Sequence, residues 1–73
     1  MLVKRSVQLS GHQTSIALEA AFWDEIDRIC REKRLSRAGF IAEVDGMRGQ
    51  ANLASALRLT VLADLKRRAK VSS

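Results

Sequence analysis

Three residues suited to meeting the edges of nucleic-acid bases stand at alternate positions near the start of the chain: Gln13, Ser15 and Ala17. In an extended strand alternate side chains share a face, so these three would point one way and Thr14, Ile16 and Leu18 the other. A glutamine can address adenine N6 and N7 together, a serine hydroxyl can meet several base edges, and an alanine can touch a thymine methyl. The same residues also make an ordinary polar face on a half-buried strand, and composition alone favours that plainer reading.

Catalytic chemistry is poorly supplied. His12 is the only histidine and Cys30 the only cysteine, which leaves no nucleophile–base pair. Neither a disulfide framework nor a zinc site can form within one chain. Asp24, Glu25 and Asp27 look like a carboxylate cluster, but they fall in the first turns of a helix, where acids favour the macrodipole. Gly39, Gly46 and Gly49 lack the strand context and spacing of a phosphate-binding loop. No enzymatic activity, metal or other cofactor is expected. Trp23 reads as a core anchor rather than a base-stacking ring, and Cys30 as a small buried hydrophobe.

The formal net charge of +5 is unevenly spread. From Glu19 to Arg34 there are five acids and four bases, so that stretch is close to neutral. The remaining nine bases, including Lys4, Arg5, Arg37 and the cluster from Lys66 to Lys70, face only Glu43, Asp45 and Asp64. Basic ends suit a polyanion, because neutralising phosphates releases condensed counterions. A small surplus of cations also serves solubility alone.

These residues need elements to hold them, and the 73-residue chain has room for one domain, 1–73. A chain of this size buries only about 60% of its unfolded surface by itself, so it usually needs a disulfide, a metal or a partner. With 47% apolar residues and no cysteine pair, oligomerisation is the route left. The lack of a secretory leader or a long apolar run predicts a soluble, cytoplasmic protein with no membrane contact.

The periodicity predicts a strand at 13–18 and helices at 19–34, 36–47 and 52–68, a mainly α fold with one short N-terminal strand. Residues 1–12 read either as a basic arm or as the first strand of a hairpin, with Gly11 at the first central position of the turn. The hairpin would put Val7 and Leu9 on the face of Thr14 and Ile16. Phe22, Trp23, Ile26, Ile29 and Cys30 stripe the first helix, with Lys33 extending the line; Phe40, Ile41, Val44 and Met47 share a face of the second. Ser36 is a good N-cap for the second helix, and Asn52 caps the third. The third helix is apolar nearly all round through Leu53, Leu57, Val61, Leu59, Leu62 and Leu65, and so expects burial on several sides. A lone strand with both edges unpaired makes the same demand for a second subunit.

The strand Thr14-Ser15-Ile16-Ala17-Leu18-Glu19, the helix Phe22-Trp23-Asp24-Glu25-Ile26-Asp27-Arg28-Ile29 and the junction Leu35-Ser36-Arg37-Ala38-Gly39-Phe40-Ile41 together resemble the ribbon-helix-helix DNA-binding family. With Arg5-Ser6-Val7, Gly11-His12 and Asn52 to Arg58, nearly the whole chain is similar to a short stand-alone bacterial branch of it. The resemblance implies an intertwined homodimer whose two strands form an intersubunit antiparallel ribbon that enters the major groove of double-stranded DNA. Gln13, Ser15 and Ala17 would then read bases. The start of the second helix, at Ser36, Arg37 and Ala38, would hold phosphate, with Lys4 and Arg5 as further backbone contacts. The strand departs from the family pattern in carrying Gln13 where a basic residue is common, and Ala17 offers no hydrogen bond, so the arm residues gain weight.

The expected function is thus a homodimeric, repressor-type regulator of transcription that binds specific DNA sequences. The alternative is an antitoxin-like or other interaction module whose C-terminal helix holds a partner protein. A nonspecific nucleic-acid binder relying on the basic ends is the third reading.

Overall fold

Whether the first twelve residues form an arm or a strand is decided at Ser10 and Gly11. Both take positive φ, 51° and 80°, the pair of left-handed residues that a type I′ hairpin turn requires. The computed structural model describes the backbone of residues 1–72 and the side chains of residues 1–70. In it β1 (Leu2–Leu9) and β2 (His12–Glu19) form a two-stranded antiparallel sheet. The register runs from Leu9 opposite His12 to Leu2 opposite Glu19. Two expectations are corrected here. The chain has two strands of eight residues instead of one short one, and the turn centres on Ser10-Gly11, one residue earlier than Gly11-His12. The partner that β2 needs on one side is supplied by its own chain.

The sheet is amphipathic because both strands alternate. Val7, Leu9, Ile16 and Leu18 are buried beneath it, with Val3 packed at the margin. Directly after Glu19 the chain enters α1 (Ala20–Lys33), which buries Trp23, Ile26, Ile29 and Cys30. The Trp23 indole Nε1 donates to the Val3 carbonyl at 2.7 Å, pinning the start of β1 to α1. Helix α1 closes where Arg34 turns left-handed (φ 57°) and the Leu35 N–H reaches back to the Cys30 carbonyl at 2.9 Å, a common way to satisfy a last-turn carbonyl.

Helix α2 (Arg37–Met47) and α3 (Leu53–Ser72) complete the core with Phe40, Ile41, Val44, Leu57 and Val61. Met47 leaves the face predicted for it and stands 76% exposed. The third helix is not buried on several sides within the chain. Ala56, Leu57, Val61 and Asp64 face the core, while Leu59, Leu62 and Leu65 are exposed on the outside. Because α1 begins at Ala20, Asp24 and its neighbours lie beyond the first turn, and the macrodipole does not account for them. Ion pairs do so for two of the three: Glu25 with Arg28 at 2.7 Å and Asp27 with Arg37 at 2.9 Å.

Polar contacts dock α3. The Arg28 guanidinium reaches Glu25 and Asp64, each at 2.7 Å, and Glu32 at 3.3 Å. Arg67 and Arg68 join the same group through Asp64, and Arg68 also pairs with Glu32. Arg58 ties the first half of α3 to Glu19 at the end of β2, 2.9 Å away.

Candidate nucleic-acid interface

The face of the sheet turned away from the core is a short ladder of polar pairs. Gln8 lies opposite Gln13, Ser6 opposite Ser15 and Lys4 opposite Ala17. All are exposed except Ala17, which is half-buried. The two serine hydroxyls approach to 3.3 Å, the closeness expected of a pair that does not exchange backbone hydrogen bonds. Gln13, Ser15 and Ala17 therefore share one face, with Thr14, Ile16 and Leu18 on the other. The ladder also contains Ser6 and Gln8, which sequence reasoning passed over. Their signal was the alternation of Lys4-Arg5-Ser6-Val7-Gln8-Leu9, which has meaning only once residues 2–9 are paired as a strand.

Lys4 and Arg5, adjacent in sequence, point to opposite faces. Lys4 joins the polar ladder. Arg5 turns toward α1, where its guanidinium lies 5.6 Å from the centre of the Trp23 ring. Arg37 lies 5.7 Å from the same ring. A cation over an indole face is attracted by the ring quadrupole even where solvent still reaches it, so one tryptophan gathers two arginines from distant parts of the chain. Arg37 is further held by Asp27 through Nε at 3.2 Å and Nη2 at 2.9 Å.

At the start of α2 the Ser36 hydroxyl accepts from the Gly39 N–H at 2.9 Å. The N–H groups of Arg37 and Ala38 belong to the first turn, which has no intrahelical acceptors. Together with the helix dipole they form the kind of end that attracts an anion. Arg5, Arg37 and Ala38 thus come together around Trp23 and the α2 N-terminus, apart from the face that carries Lys4.

The rest of the electrostatics is structural. The Arg28 hydrogen bond holds the Asp64 carboxyl below its ordinary range. Arg68 does the same for Glu32, and Arg58 for Glu19. Burial pushes the Cys30 thiol up, the opposite of what a nucleophilic thiolate requires. Among the described residues no group of three His, Cys, Asp or Glu side chains could hold a metal ion, and no helix is long and apolar enough to cross a membrane.

The outer edge of β2 borders an open cleft of about 260 Å³ between Thr14–Ala17 and the start of α3 at Asn52–Ala54. Asn52 Oδ1 caps that helix by accepting from the Ser55 N–H at 3.2 Å. No match to the chain occurs among curated protein sequences or among solved structures. The family model for the ribbon-helix-helix domain matches residues 2–65, which takes in both strands, α1, α2 and most of α3. Domains of this kind generally bind DNA in transcription regulation and are not enzymes. With the match spanning the hairpin, α1, α2 and most of α3, the chain belongs to the ribbon-helix-helix domain family.

Proposed function

We propose that the protein is a homodimeric, sequence-specific DNA-binding regulator whose β2 strands pair across a two-fold axis and enter the major groove. The observation that carries this reading is the outer edge of β2. A two-residue loop makes Leu9 and His12 a hydrogen-bonded closing pair, and strict alternation then turns the backbone groups of Gln13, Ser15 and Ala17 away from β1. An antiparallel copy centred on Ser15 would set Ser15 against Ser15 and Gln13 against Ala17, with no charged residue at the seam. The outer edge of β1 carries Lys4 instead, a residue type that guards edges against pairing. The cleft beside β2 leaves room along the edge for the second strand.

In this arrangement Gln13, Ser15 and Ala17 of both copies read bases. Arg5, Arg37 and the amides at Arg37 and Ala38, below the Ser36 cap, hold phosphates at the flanks. Repression follows if the bound site overlaps a promoter. Selection of bound sequences from random duplex DNA at a stated salt concentration should return a two-fold related motif. Gln13→Ala should cost about 1–3 kcal/mol per lost bidentate contact and relax preference at particular positions. Sedimentation at low micromolar concentration should give twice the 8.1 kDa chain mass. A Gln13→Ala variant with unchanged affinity and preference would refute the reading.

The antitoxin-like alternative draws on one observation. Met47 and Leu59 line a second open cleft of about 220 Å³ with Val44 and Ala56, and Leu62 and Leu65 lie exposed further along α3. A partner protein seated there would protect Leu59 and Leu62 from solvent labelling and would co-purify in fixed stoichiometry.

A further inference from the structure

We propose that β1 is the phosphate-facing strand of a four-stranded sheet, in which Lys4, Ser6 and Gln8 rest on the two walls of the major groove while β2 reads its floor. The inference rests on the proposed pairing of β2 with a second copy. The hairpin is already complete within one chain, so joining two copies at β2 gives the strand order β1-β2-β2-β1. Across the outward face the central row becomes four serines, Ser6 and Ser15 of each copy. The rows on either side of it each hold Gln8 and Gln13 of one copy with Ala17 and Lys4 of the other.

Dimensions assign the roles. Neighbouring strands lie about 4.8 Å apart, which puts each β2 about 2.4 Å from the dyad and each β1 about 7 Å from it. The major groove is about 12 Å wide, so its walls stand about 6 Å from the same axis. The β2 side chains fall over base edges, and those of β1 fall at the phosphates. The side chains fit those places. Lys4 is a compact cation on a flexible stem, suited to a phosphate as a point charge. Ser6 and Gln8 carry uncharged donors of the sort that commonly bond phosphate oxygens. Lys4 also supplies, from the neighbouring strand, the positive charge that β2 itself lacks opposite Ala17.

Two experiments separate this proposal from the reading beneath it. The first needs no DNA: single cysteine variants are oxidised under mild conditions as full-length protein, with Cys30 buried and its thiol poorly ionised. Ser15→Cys should give a disulfide-linked dimer, because the two copies meet there at a Cα separation of about 5.5 Å. Ser6→Cys should not, because its copies sit about 14 Å apart, three strand spacings. Linkage through Ser6→Cys would make β1 the central strand and overturn the proposal.

The second experiment measures binding to the selected duplex across a salt series. Lys4→Ala should flatten the plot of log K against log salt by about 1.8, one phosphate per copy at roughly 0.9 each. Gln8→Ala should weaken binding to the selected and to scrambled duplexes by the same factor, on the order of tenfold, with the selected motif unchanged. An unchanged slope for Lys4→Ala, or a new base preference for Gln8→Ala, overturns the role given to β1 while leaving recognition by β2 intact. If the wild-type protein itself returns no motif, the underlying reading falls together with this one.

Discussion

Replacing Trp23 with phenylalanine should loosen the hairpin and not only thin the core. Three contributions are lost together. The hydrogen bond from Nε1 to the Val3 carbonyl is worth about 0.5–1.5 kcal/mol net, toward the lower end because that carbonyl also faces the Leu18 N–H in the ladder. Trp23 is 1% exposed, and removing the second ring leaves a void costing about 1–2 kcal/mol in transfer and cavity terms. Arg5 and Arg37 keep a phenyl face in place of the stronger indole face, a loss of a few tenths of a kcal/mol in each case. The sum is about 2–4 kcal/mol against a total stability of roughly 4–11 kcal/mol for a chain of this length. At about 4–8 °C per kcal/mol the midpoint should fall by roughly 10–30 °C. Thermal unfolding followed by circular dichroism at fixed protein concentration measures it, since association couples to the midpoint. Amide hydrogen exchange should show the loss of protection concentrated at Val3, Arg5 and Leu18. A loss below about 1 kcal/mol, or unaltered protection in β1, would refute the claim that the indole pins the strand.

Leu57 is fully buried, so Leu57→Ala should cost about 2–5 kcal/mol at any protein concentration. Leu62 is 44% exposed, so Leu62→Ala should cost well under about 1 kcal/mol unless an assembly covers it; urea titrations at two protein concentrations distinguish these cases. Ser10 holds a left-handed conformation that costs an ordinary L-residue about 1 kcal/mol, so Ser10→Asn should raise the midpoint slightly and Gly11→Ala should lower it by a few degrees. Asp64, Glu32 and Glu19 have lowered folded pKa values, so their contribution is complete above the ordinary carboxylate range near pH 4 and is lost as pH falls through the folded values. The melting temperature should be flat from about pH 6 to 8 and decline below about pH 4.5, with Asp64→Asn showing a weaker acid dependence.

Much of this architecture is written in local patterns. The apolar stripe of α1, the Ser36 cap of α2, the Asn52 cap of α3 and the inward set Thr14, Ile16 and Leu18 all follow from periodicity and capping chemistry. What escaped was non-local. The pairing of residues 2–9 depends on two positive φ angles, one of them at a serine, and on an indole that meets Val3 twenty residues away. Alternation alone could not separate an arm from a strand while that partner was unknown. Arg5 and Arg37 were legible as cations, but their convergence on Trp23 was not, because it depends on how β1 and α2 pack about α1. The apolar circumference of α3 predicts several buried sides, whereas one side meets the core and Leu59, Leu62 and Leu65 face outward.

The strict two-residue period of the hairpin has a consequence for how such a protein changes over generations. Every outward position, from Lys4 to Gln8 and from Gln13 to Ala17, is insulated from the packed layer beneath by the backbone itself. Substitutions there rewrite the surface text while Val7, Leu9, Ile16 and Leu18 go on holding the fold. An insertion or deletion of one residue within either strand would instead exchange the two faces beyond that point, bringing core residues to solvent and polar ones inside. On the proposed reading of DNA by this face, new preferences are therefore open to point mutation and closed to length change, which makes the hairpin a cassette whose message is variable and whose length is fixed.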